Sequence, residues 1–300
     1  MFLPRRLIRA ALRALSPGGV SPLYERAKAD AADFIKFPCY PPRMSRLERA
    51  MLRSSRGLMT CTVCGAFCRF DIRGDNLRED CCCSNCGATN RHRQLAWVLC
   101  SAIAQSTGKS LAGLPTLRLQ CGELAIYNTE ARGPVHDQLA PMPRYRCSEY
   151  FGPSHKSGDL VNGVMHQDLQ RLSFPDATFD VVLSSDVFEH IPDPYLAHRE
   201  VMRVLKPAGR HVFTVPFVLD GHLDQVRARI GSNGLEHLHP SIYHLDPVTG
   251  KADVLVFTIF GLEMLVRLRS IGFSTELYQL SAPWLGILGQ NAIVFDARRV

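Results

Sequence analysis

The sequence predicts an α/β protein: a mainly parallel sheet covered by helices, preceded by a small four-cysteine module and a basic helical arm. Three observations lead there. From residue 117 onward short apolar runs alternate with helical segments, the pattern of strands joined by crossover helices. Seven of the eleven cysteines fall between Cys61 and Cys86, a concentration that suits a metal site better than the dispersed disulfides of a secreted protein. The positive charge sits at the front: residues 1–60 hold 12 Lys+Arg against 4 Asp+Glu, and the remainder hold 23 against 24. With 300 residues, 46% apolar and 21% charged, the chain is neither disordered nor collagen-like, and it can bury one large core beside an accessory module. The longest apolar runs, such as Val254–Phe260, fall far short of the roughly 18 residues that cross a bilayer.

The arm is expected over residues 1–57. Leu3, Leu7, Ile8, Ala11, Leu12 and Leu15 recur at helical spacing with Arg5, Arg6, Arg9 and Arg13 between them, and Ser16-Pro17-Gly18-Gly19 stops the helix. Such a basic amphipathic helix can pack on its own domain, touch an anionic membrane surface peripherally, or approach nucleic acid. Its arginines interrupt any unbroken apolar region, so it does not read as a signal peptide and a cytoplasmic location is expected. A second basic stretch, Arg43–Arg56, reads as another short helix.

Residues 58–92 have zinc-ribbon spacing. Cys61-x2-Cys64-Gly65 and Cys83-x2-Cys86-Gly87 are separated by 18 residues between the inner cysteines. In each knuckle two thiolates face one metal while the glycine permits the turn. Four thiolates close a tetrahedral Zn2+ site with no open position, hence a structural one. Cys68, Cys81 and Cys82 offer other registers, but the Cys83/Cys86 choice alone repeats the knuckle and its glycine. Phe67, Phe70, Ile72 and Leu77 can supply a hairpin and a small core. Cys39, Cys100, Cys121 and Cys147 are read as buried free thiols. A helix starting at Asn90 leads out, with Arg91, His92 and Arg93 in its first turn, placed to meet a phosphate, a carboxylate or the neighbouring domain.

Residues 93–300 form the main domain. Strands are expected at Leu117–Cys121, Arg144–Ser148, Val161–His166, Phe179–Ser184 and Arg210–Val215, with helices around Val135–Leu139 and Tyr195–Leu205. After a histidine-rich loop come a helix at Phe260–Ser270 and a final pair of strands, Thr275–Leu280 and Asn291–Asp296.

Residues 166–216 carry a strand ending in Asp168, a Phe174-Pro175-Asp176 turn, a Phe179-Asp180 strand start, Glu189-His190, and an Arg203-Val204-Leu205-Lys206-Pro207-x-Gly209 helix exit. This run resembles the second half of a class I S-adenosylmethionine-dependent methyltransferase of the type 11 kind. With the ribbon in front it also resembles a bacterial subgroup that carries a zinc-ribbon head. The resemblance implies a Rossmann-like seven-stranded sheet with the cofactor at the carboxyl ends of its parallel strands. Glu149 would then accept the ribose hydroxyls and Asp168 the adenine amine, with Leu169 packed on the ring. Ser184 and Ser185, with Asp186, would border the methionine part and the acceptor. Cys121, Gly122 and Glu123 align with the glycine-rich turn after the first strand, leaving one glycine of three, with Arg118 in place of the early carboxylate. The implied activity is O- or N-methylation of a small or carrier-linked acceptor, a sugar or natural-product intermediate. RNA methylation using ribbon and arm, and a non-catalytic binding role, are the alternatives.

For chemistry the sequence offers Asp186, Glu189 and His190, whose spacing lets them share one face. They can hold a divalent ion, act in proton transfer through Asp186 and His190, or line the pocket and cap a helix. The segment Asp220–Asp246 adds His222, His237, His239 and His244, with His211 nearby on a strand. These can serve as base, metal ligand, or hydrogen-bonded supports of a lid.

Overall fold

The computed structural model describes residues 24–28, 59–218, 221–245, 253–280, 282–288 and 293–300. The two expected arm helices, Leu3–Leu15 and Arg43–Arg56, lie outside these residues. In chain order, β1 (Tyr24–Lys28) precedes the cysteine module of β2 (Met59–Thr60), β3 (Phe67–Cys68), β4 (Phe70–Ile72), the one-turn helix α1 (Leu77–Asp80) and β5 (Cys81–Cys83). Then come α2 (Asn90–Thr107), α3 (Leu114–Gln120), β6 (Ile126–Asn128), α4 (Pro134–Leu139) and β7 (Tyr145–Cys147). The short pair β8 (Leu160–Val161) and β9 (Val164–Met165) leads to β10 (Phe179–Ser185), α5 (Pro194–Val204) and β11 (Leu205–Thr214). Three small pairings follow: β12 (Gln225–Val226) with β17 (Thr258–Ile259), β13 (Ala228–Gly231) with β14 (Gly234–His237), and β15 (Tyr243–His244) with β16 (Val254–Leu255). Helix α6 (Glu263–Ile271) and strands β18 (Phe273–Leu280) and β19 (Ile293–Arg299) complete the chain.

The central sheet has seven strands in the order β1-β18-β19-β11-β10-β6-β7. Strands β7, β6, β10 and β11 run parallel, and β19, β18 and β1 continue antiparallel. This is the mixed, parallel-dominated α/β sheet the sequence predicts, with two differences. The strand expected at Val161–His166 shrinks to the β8–β9 pair and a single parallel bridge between Glu149 and His166. On the opposite edge, β1 supplies a strand from a segment read as helical arm.

A third expectation is corrected. Leu117–Cys121 is not a strand: it lies in helix α3 and its cap. Leu114, Leu117 and Cys121 are buried while Arg118, Leu119 and Gln120 are exposed, a helical period that follows Pro115 in the first turn. The first parallel strand is instead Ile126-Tyr127-Asn128, buried throughout and too short to show an alternation.

Alternating strand residues divide two cores. Val181, Leu183 and Val212 join α2, α3, α4 and the cysteine module on one face, while Val182, Phe213 and Phe295 join α5 and α6 on the other. The ribbon therefore shares the core of the main domain. Arg93 of α2, fully buried, binds it in place by donating to the carbonyls of Ala88 (2.6 Å), Cys81 (3.1 Å) and Gly286 (2.6 Å) while stacking on Phe70. At the far end of the crossover, Asp193 caps α5 at Tyr195 and Leu196. Arg203 then ties the helix exit to the Leu172 and Phe174 carbonyls and to Asp176. Among the described residues no helix is long and apolar enough to cross a membrane.

Candidate functional site

Cys61, Cys64, Cys83 and Cys86 converge, their thiols within 4.8 Å of one another. The two knuckles are built alike. The Cys61 and Cys83 amides donate to Ala66 and Ala88, and the amides of Gly65 (φ +75°) and Gly87 (φ +73°) return to Cys61 and Cys83. Glycine is required there because the chain enters the left-handed region. Of the other cysteines, Cys68 comes within 3.3 Å of Cys83, whereas Cys81 turns to Arg93 and Cys82 to the Glu79 carbonyl. Four thiols at this spacing suit one tetrahedral ion.

At the carboxyl ends of β6, β7 and β10 the chain opens a crevice where the strand order reverses. The turn leaving β6 is Thr129-Glu130-Ala131-Arg132-Gly133, with Gly133 at φ +87° before α4. This replaces Cys121, Gly122 and Glu123 as the expected cofactor turn. Those residues precede β6, where Cys121 is buried in the core and Glu123 faces Lys109 at the surface. Glu149 beyond β7 does reach the crevice, its Oε1 accepting the Ala131 amide at 2.9 Å. Asp168 accepts the Gln170 amide at 2.9 Å, and Leu169 beside it is buried. Ser184 and Ser185 point to opposite faces. Ser184 is buried against His211 Nε2 at 2.9 Å and so does not border the crevice, whereas Ser185 Oγ meets Arg91 and Thr214.

Asp186 sits at φ +55°, held by Arg78 at 2.6 Å, by Arg91 at 3.5 Å and by the Thr214 hydroxyl at 2.9 Å. Burial alone would raise its pKa, but the two guanidinium groups outweigh it and hold the carboxyl well below the usual carboxylate range. Asp186 is thus a poor proton acceptor, and it does not join Glu189 and His190 on one face as the spacing suggests. The basic first turn of α2 meets a carboxylate after all. Arg78, from the ribbon itself, had no sequence signal because its partner lies 108 residues away. Burial pushes Glu130, in the turn after β6, up to about 7 against the opposing pull of Arg91.

Glu189 is fully buried in a short turn after β10. Its Oε1 lies 3.6 Å from His190 Nε2 and 3.6 Å from His244 Nδ1, and those two nitrogens are 3.2 Å apart. His244 arrives on β15 from the histidine-rich loop. The others do not gather with it: His237 contacts Ser241, and His211 lies in the core with His198 and Phe188.

Comparison with known proteins places a family described as "Methyltransferase domain" on residues 148–213. That segment holds Glu149, Asp168, Asp186, Glu189 and His190. A stretch of 71 residues is 48% identical to 2-methyl-6-phytyl-1,4-hydroquinone methyltransferase of Synechocystis sp., covering 24% of this chain and 21% of the relative. Another of 45 residues is 42% identical to 27-O-demethylrifamycin SV methyltransferase of Amycolatopsis mediterranei, covering 15% and 16%. Among solved structures, 1,6-didemethyltoxoflavin-N1-methyltransferase of Burkholderia thailandensis, with bound 1,6-didemethyltoxoflavin and S-adenosylhomocysteine, is similar. It has 18% identity and a TM-score of 0.37, over 68% of this chain and 80% of that one. The chain spans about a fifth to a third of the length of the first curated relatives it matches.

Proposed function

We propose that this protein is an S-adenosylmethionine-dependent methyltransferase that methylates oxygen or nitrogen of a small or carrier-linked acceptor, a sugar or natural-product intermediate. The observation that carries the reading is the crevice at the strand-order reversal, lined by acidic residues of the segment that matches the methyltransferase domain. Two orphaned polar atoms support the fit of a cofactor there. Thr129 Oγ1, in the turn after β6, is buried without a partner among the described residues. So is His166 Nε2, which carries the ring proton because Nδ1 accepts the Phe151 amide at 3.0 Å. Burying such groups unpaired is costly.

In this reading Glu149 accepts the ribose hydroxyls, Asp168 takes the adenine amine with its free oxygen, and Leu169 packs on the ring. Thr129 and Ser185 border the methionine part. The cofactor, when bound, supplies an electrophilic methyl group on a sulfonium centre. The chain's share is to align the acceptor and exclude water. Asp186 would keep Arg78 and Arg91 in place rather than move a proton. Zinc held by Cys61, Cys64, Cys83 and Cys86 would fix the ribbon, and through Arg78 and α2 the wall of the crevice. Arg78, Arg91 and Arg93 are engaged internally, which favours a small acceptor over RNA, since phosphate contacts need free basic groups.

Calorimetric titration of zinc-replete protein with S-adenosylhomocysteine tests this. Micromolar binding is expected, weakened more than about tenfold in Glu149→Gln and in Asp168→Ala, as fits the loss of one charge-assisted hydrogen bond. A folded protein that gives no heat refutes the enzyme reading.

A further inference from the structure

Glu189 is the unexplained group of the fold. It is 0% exposed, and neither carboxylate oxygen has a hydrogen-bond partner among the described residues. The nearby cations do not answer it, because Arg78 and Arg91 are spent on Glu79 and Asp186. A buried carboxylate in this state needs a proton or a cation.

The groups facing it are suited to the second. His190 Nδ1 lies 2.8 Å from the Leu255 carbonyl, so that nitrogen carries the proton and the Nε2 lone pair turns toward Glu189. Fixing one ring nitrogen on a backbone carbonyl is how a metal-binding histidine is oriented. The same backbone stretch brings His244: β15 and β16 pair Tyr243 with Leu255 and His244 with Val254, and the Phe257 amide donates to the Glu189 carbonyl. The three facing atoms are 3.2 to 3.6 Å apart. Ligands at ~2.1 Å from one ion stand about 3.0 Å apart on an octahedral edge and about 3.4 Å on a tetrahedral one. His244 is 40% exposed on its side chain, so the cluster has an entry path and leaves positions open outward.

We propose that Glu189, His190 and His244 form a second metal site, distinct from the cysteine site, that binds one divalent transition-metal ion with open positions for oxygen ligands. Two imidazoles and one carboxylate favour a borderline ion such as Mn2+, Fe2+, Co2+ or Zn2+ over Mg2+ or Ca2+, which prefer all-oxygen shells. Asp186, three residues before Glu189, is already bound by arginines and is not a ligand. If the methyltransferase reading is right, the open positions would receive the acceptor's hydroxyl oxygen and orient it; binding of the ion itself does not depend on that reading.

The experiment titrates Co2+ into the full chain with its ribbon already filled by Zn2+. Visible d–d bands of a nitrogen and oxygen site, without thiolate charge-transfer absorption, are expected at one equivalent. In Glu189→Gln and in His244→Ala the affinity should fall by more than about tenfold. His244 lies on an exposed hairpin, so its variant tests the site even if the buried substitution disturbs folding, which circular dichroism reads separately. Absence of the bands, bands bearing thiolate character alone, or affinity unchanged in folded His244→Ala would overturn the proposal. S-adenosylhomocysteine binding measured on the same samples separates failure of this site from failure of the methyltransferase reading.

Discussion

Replacing Arg93 by alanine should loosen the ribbon from the sheet domain. The side chain has no carboxylate partner. Its charge is carried by three backbone carbonyls, those of Cys81, Ala88 and Gly286, and by the face of Phe70 at 4.1 Å. Removing it leaves these buried acceptors without donors, at about 1–3 kcal/mol each, or roughly 3–9 kcal/mol before relaxation. Water entering the vacated volume recovers part of this, so about 4 kcal/mol is expected, a large share of a typical domain's 5–15 kcal/mol. Arg93→Lys should lose about 2 kcal/mol, because an ammonium cannot span three carbonyls as a planar fork does. Equilibrium urea unfolding at saturating zinc provides the measurement, with the rate of zinc transfer to a chromogenic chelator as a second readout. The chelator should act faster on both variants. A loss below about 1 kcal/mol in Arg93→Ala, with unchanged zinc transfer, would refute the view that this arginine joins the two parts.

Three further outcomes are expected. A Cβ on Gly113 would stand 2.4 Å from the Thr62 carbonyl oxygen, so Gly113→Ala should push the first knuckle outward and lower stability by about 1–3 kcal/mol in urea unfolding; an unchanged midpoint would contradict the close packing. Burial raises Glu130 from its usual range to about 7, so its stabilising contribution is full below about 4.5 and is lost as the pH rises through 7. Glu130→Gln should therefore gain on the native protein between pH 5 and pH 8 by up to about 3 kcal/mol, and parallel stability profiles would argue against it. Cys64→Ser should abolish tight zinc binding and expose the shared core to limited proteolysis, whereas Cys82→Ser, outside the ligand set, should retain one zinc by metal analysis.

The sequence by itself determined what depends on neighbours along the chain. The knuckles were legible because a Cys-x2-Cys-Gly turn is made within five residues, and α2 and α5 because their caps, Thr89 and Asp193, act on amides two or three residues ahead. Strand β10 and helix α5 followed from long apolar patterns. Strand β6 did not, since three buried residues show no period, and a Leu-rich segment just before it mimicked a strand while folding as α3. That displacement moved the expected cofactor turn from Cys121–Glu123 to Thr129–Gly133.

Tertiary structure decided which side chains meet. Ser184 and Ser185 differ by one residue and hence by sheet face, and only the placement of α2 shows which one faces the crevice. Asp186 was readable as a candidate base until Arg78, 108 residues earlier, came to lie against it. His244 was one histidine among several until the β15–β16 pairing set it beside Glu189. Local turns and caps are fixed by short-range sterics and hydrogen bonds that a sequence displays directly. Charge pairing and ligand geometry depend on how distant segments pack, and the same residues carry different chemistry according to that packing.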